Sequence, residues 1–139
     1  MPANTLPIFT LTPNATTCTI AAANTARDGS GSLVTAFTAG SNGSRVDFIT
    51  FTSSQTTAAA SSARVQRVYL TDTAGLNPRL ISEVAMSAVT ASSTVIGAVQ
   101  TITFTNGLVI ASGQIIKVSQ SVYASAADNT DVIVRGGDY

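Results

Sequence analysis

Residues 37–51 read FTAGSNGSRVDFITF, and this stretch decides the fold class. Apolar and β-branched residues run up to Gly40-Ser41-Asn42-Gly43 and resume after it. An Asn-Gly pair tolerates positive φ, which favours the tight turn whose twist matches two right-twisted strands. Before the turn, Val34, Ala36 and Thr38 alternate with Thr35, Phe37 and Ala39. After it, Val46 and Phe48 alternate with Asp47, Ile49 and Phe51. A period of two over this length indicates strands. The stretch is therefore expected to be a central hairpin, or a tight corner, in an all-β domain.

Working outward, the same pattern recurs. Strands are expected at residues 17–23, 33–39, 45–52, 63–71, 79–86, 99–105, 108–111, 114–123 and 130–135. Asp28-Gly29 and a second Asn-Gly pair, Asn106-Gly107, mark turns between them. Residues 53–62 (SSQTTAAASS) lack an apolar stripe and read as a long hairpin loop. Residues 79–86 (RLISEVAM) are short and uncapped for a helix and read as strand. Short strands at regular spacing with Gly and Asn turns indicate a two-sheet antiparallel β-sandwich, jelly-roll-like or else immunoglobulin-like. Residues 1–14, with Pro2, Pro7 and Pro13, read as an extended N-terminal arm, because proline lacks a ladder donor. Residues 15–139 form the sandwich domain.

Composition narrows the function. The chain has 139 residues, a one-domain length, and a hydrophobic fraction of 45%. Charged residues are only 10% against a usual ~25%, and the net charge is zero. A surface built from Thr, Ser, Asn, Gln and Ala repels itself little and suits a protein packed in an assembly. Zero net charge lacks the basic stripe of a nucleic-acid binder. No run of apolar residues is long enough to span a membrane as a helix, and MPANTLPIF has neither the basic nor the apolar region of a secretory signal.

The chain contains no His, which removes Ser-His-Asp catalysis and His-based metal sites together. Cys18 is alone, so it forms no intrachain disulfide and is expected to point into the core. Asp128-Asn129-Thr130-Asp131 offers oxygen ligands for a surface cation, or ordinary turn chemistry. No cofactor is expected. Six of the seven basic residues are Arg, the residue suited to multi-donor contacts. Each of Arg45, Arg64, Arg67 and Arg79 is expected to find a carboxylate, and Asp47 is placed to meet Arg45.

A resemblance adds to this reading. TAGSNGSRVDFI (Thr38 to Ile49), with the terminal GGDY (Gly136 to Tyr139), is similar to a family of small virion proteins of tailed bacteriophages. VYLTD (Val68 to Asp72) and LISEVAMSAVT (Leu80 to Thr90) are similar to its middle section. The resemblance implies a non-enzymatic decoration or cement protein on the capsid exterior, bound to the major capsid protein and clustered as a homo-oligomer, a trimer at three-fold sites. A head-fibre, tail-tube or adhesin module is the alternative. The interface candidates are Ile8, Phe9 and Leu11 of the arm, Arg45, Arg64, Arg67 and Arg79, and Tyr139.

Overall fold

The structure is a computed structural model and describes residues 9–55 and 59–139; Ile8 lies outside them. The elements are β1 (Thr12–Ile20), β2 (Val34–Thr38), β3 (Ser44–Ser53), β4 (Arg64–Leu70), β5 (Arg79–Met86), β6 (Val99–Ile110), β7 (Ile115–Gln120), a 3-10 turn (Ala126–Asp128) and β8 (Thr130–Asp138). They form two four-stranded sheets, β1-β8-β3-β6 and β2-β7-β4-β5. Four antiparallel pairings, β1 with β8, β2 with β7, β3 with β6 and β4 with β5, make the chain one long hairpin closed at β4–β5. Rolling that hairpin brings β8 against β3 and β7 against β4. This is the jelly roll, and the expected sandwich is what the chain forms.

The opening stretch is the corner and not the hairpin. β2 and β3 lie in different sheets, so residues 39–43 carry the chain across the sandwich. Gly43 N–H donates to Gly40 O at 3.0 Å, and Gly43 alone of the Asn-Gly pair has positive φ, +87°. A valine at Gly43 would combine β-branching with that backbone, and its Cβ would sit 2.9 Å from Ile110 O. We expect Gly43→Val to cost about 2–3 kcal/mol, read as the midpoint of urea unfolding; an unchanged midpoint would remove the corner's conformational requirement.

Bulges reset the alternation on both sides of the corner. In β2 an extra residue, Ala36, separates Thr35 from Phe37, so Ala36 and Phe37 are both buried. In β3 the extra residue is Asp47. Val46, Ile49 and Phe51 therefore face the core, while Phe48 turns outward beneath Arg135. A strict period of two puts Val46 and Phe48 on one face; the bulge separates them. Asn106-Gly107 likewise makes no hairpin. Both residues have positive φ, but they sit in an outlooped bulge of β6, where 104–107 stand opposite the single residue Asp47.

β1 starts at Thr12, inside the stretch read as arm: Thr12, Pro13 and Asn14 pair with Asp138, Gly137 and Gly136. β1 is an edge strand, which is where proline is tolerated. β5 keeps the expected bounds, 79–86. The core joins Ile20, Phe37, Val46, Ile49, Phe51, Val68, Met86, Ile110, Ile116, Val118, Val132 and Val134 from both sheets. Burying such side chains contributes about 1.5–3 kcal/mol each.

Candidate functional site

At one end of the sandwich a charged pair is sealed inside. Arg64 opens β4 and Asp128 closes the 3-10 turn, and their side chains are 0% and 1% exposed. The nearest nitrogen and oxygen are 3.8 Å apart. Arg64 donates to Ser62 O at 2.9 Å, to Thr130 Oγ1 at 3.1 and 3.2 Å, and to Ser53 Oγ at 3.2 Å. Asp128 accepts from Ser62 N–H at 2.6 Å, Ala124 N–H at 2.7 Å and Ser62 Oγ at 3.2 Å. Burial pushes its carboxyl up, but these hydrogen bonds and then the Arg64 charge outweigh it and hold the carboxyl below its ordinary range. Burial also lowers the Arg64 pKa, opposed by Asp128. Gln66 and Gln120 extend the network through Thr130. One atom of it, Gln66 Oε1, is buried without a hydrogen-bond partner among the described residues.

A second cluster fastens a cover over the outer face of the second sheet. Arg67 donates to Glu83 Oε1 at 2.9 Å and to the carbonyls of Asn24 and Ala26 at 2.9 and 3.3 Å. Arg27 closes on Glu83 Oε2 at 2.6 Å. Asn24 is buried and donates to Ser30 O and Ser32 O, so one amide shapes the β1–β2 connection. Tyr69 lies fully buried beneath it, its hydroxyl 3.3 Å from Ala26 O. The Arg27 hydrogen bonds, with help from Arg67, hold the Glu83 carboxyl below its ordinary range.

At the opposite end two of the stretches that carry the resemblance, residues 38–49 and 136–139, meet. Ser44 Oγ donates to Asp138 Oδ1 at 2.5 Å and accepts from Gly40 N–H. Tyr139 N–H donates to Gly43 O, and Asn42 Nδ2 donates to Tyr139 O. Leu11 N–H donates to Asp138 O, so the same lock holds the residue just ahead of β1.

These positions sort the interface candidates. Arg64 and Arg67 are buried and bonded within the subunit, which takes them out of the set. Phe9 and Leu11 are 76% and 81% exposed. Arg45 is exposed and paired with Asp47 at 2.8 Å. Arg79 is exposed and has no ion-pair partner among the described residues. Tyr139 is half-buried, its backbone engaged in the lock. Asp128 and Asp131 do not converge on a cation: Asp128 is sealed inside, whereas Asp131 accepts from Thr19 Oγ1 on the exposed face. The described residues contain no group of three or more candidate metal ligands. Cys18 is half-buried at the β1 edge, and burial, then Asp131, pushes its thiol up to about 11. Sequence reasoning missed Asn24, whose amide bonds span only the β1–β2 connection, and Arg27, whose partner Glu83 is distant in sequence. It read Thr130 only as part of a turn or cation stretch, because the partners Arg64 and Gln66 are distant.

No family model and no curated protein matches the chain. Among solved structures, a chain in the structure of infectious bursal disease virus Gt strain resembles it with a TM-score of 0.28 and 19% sequence identity. The likeness covers 98% of this chain and 36% of that one, so the chain spans about a third of the neighbour's length.

Proposed function

We propose that this chain is a non-enzymatic structural protein of a virion, a decoration or cement protein bound to the major capsid protein on the outside of a tailed-bacteriophage head. The observation that carries the reading is a jelly roll whose buried charges, Arg64, Arg67 and Asp128, are all engaged by the chain's own groups. The jelly roll serves capsids, lectins and cupins, and fold alone does not choose among them. Cupin-type metal chemistry draws on His, and the chain has none. Sugar binding favours exposed aromatic platforms; Trp is absent, Tyr69 is buried and Tyr123 donates to Asn129 Oδ1. The resemblance to phage virion proteins and the charge-poor surface favour the capsid.

The test is co-sedimentation of the purified chain with phage heads that lack it. Saturable binding in fixed proportion to the major capsid protein is expected. Binding confined to tails or fibres, or none to any part of the particle, would defeat the reading.

A further inference from the structure

Of the four sheet edges, β1, β2 and β5 carry features that discourage strand pairing, whereas the first half of β6, ahead of its bulge, does not. β1 contains Pro13, and its Thr16 hydroxyl donates to Ala36 O of the other sheet at 2.6 Å. β2 is five residues long and bulged. β5 carries Arg79 and Glu83. β6, with sequence VQTITFTNGLVI, has neither proline nor charge; its ladder with β3 is regular from Val99 to Thr103, and burial alternates strictly from Val99 to Thr105, at the start of its bulge. Its backbone pairs with β3 alone, and no loop or side chain among the described residues bonds to its other edge.

The flank beside that edge is apolar and incompletely closed. Ile102 and Phe104 point inward and pack on the core yet stay partly exposed, as does Val84 on neighbouring β5. Val99, at the start of β6, is 50% exposed, and Ile96 just before it is 85% exposed. A strand added along β6 would cover Ile102 and Phe104 and satisfy the free backbone groups at once.

We propose that the occupant is β6 of a second copy, antiparallel about a two-fold axis at Ile102, so that two β1-β8-β3-β6 sheets become one continuous sheet. The register is self-complementary. Thr101 stands opposite the partner's Thr103 on the outer face. On the inner face Ile102 meets its own counterpart and Gln100 meets the partner's Phe104. Val99 stands opposite the partner's Thr105. Thr–Thr and apolar cross-strand pairs are favourable, and like charges, which would oppose self-pairing, are absent. A charged partner strand would find no counter-charge on β6. Antiparallel self-pairing closes on two subunits with one repeated contact. A seven-residue strand spans roughly 23 Å, at the small end of specific interfaces, which bury roughly 800 Å² per partner. The dimer therefore belongs to high concentration, such as the millimolar effective concentration of a tethered pair. The pairing does not depend on the particle to which the chain belongs.

Sedimentation velocity of the full chain from about 5 to 500 μM tests it. A monomer–dimer equilibrium is expected, weakened at least about tenfold in Thr101→Lys/Thr103→Lys, which sets lysine against lysine on an exposed face. The variant's melting temperature reports whether the subunit still folds. In a Cys18→Ser background, Ile102→Cys should oxidise to a covalent dimer. A monomer throughout, a trimer, unchanged association of the double-lysine variant, or a dimer that does not cross-link at position 102 would each overturn the proposal.

Discussion

Arg64→Ala should cost about 3–5 kcal/mol, the usual loss when one member of a buried charged pair is removed. The Asp128 carboxylate would remain sealed inside, while the Thr130 and Ser53 hydroxyls would lose their guanidinium donor. At this chain length the loss corresponds to a drop in melting temperature of roughly 10–20 °C, measurable by calorimetry. The pair also sets an acid limit. The Asp128 pKa is lowered in the folded state, so its contribution is complete above the unfolded carboxyl value of about 3.9 and is lost as pH falls through the folded value. Stability of the natural chain should fall below about pH 4. Asp128→Asn should flatten part of that fall, at its own cost near neutral pH, because its amide would face N–H donors where both carboxylate oxygens now accept. A melting temperature unmoved by Arg64→Ala would show the network to be dispensable.

Gly136→Ala should be comparably damaging, for a different reason. Gly136 lies in β8 between Asn14 of β1 and Val46 of β3, beside the Asp47 bulge. An alanine methyl there would overlap the Arg45 carbonyl oxygen and come within 2.9 Å of the Arg45 carbonyl carbon and the Val46 Cα. These are backbone atoms in the middle of a sheet, so relief requires β8 to draw away from β3. A cost of at least about 3 kcal/mol is expected, together with faster amide exchange at Tyr139 N–H, which the terminal lock now holds. A loss below about 1 kcal/mol would mean the sheet opens easily at that point.

These two sites mark what was legible in the sequence and what was not. Alternation and Gly/Asn punctuation gave the strands, the two-sheet class and the bounds of 79–86, because local sterics and half-burial act residue by residue. Pairing was not legible at Asn42-Gly43. That dipeptide reports local backbone tolerance, and the same tolerance serves a corner between sheets at Gly43 and a bulge at Asn106-Gly107. The phase of Val46 and Phe48 was misread because the extra residue, Asp47, is defined only by the strands beside it. Arg45 meeting Asp47 was foreseeable from spacing. Arg64 meeting Asp128 was not, since only the rolled hairpin brings β4 against the turn before β8. The GGDY terminus carried a signal in its paired glycines: Gly136 is crowded by the Arg45 backbone, and Gly137 by Thr10 and the Thr12 carbonyl.

That this jelly roll sits on a capsid is tested most directly by a density map of the native particle. A two-sheet sandwich of this chain is expected on the outer surface of the head, in a constant ratio to the major capsid protein. A native head with no density for this chain on its outer surface, or the chain found only in the tail or fibres, would contradict the claim.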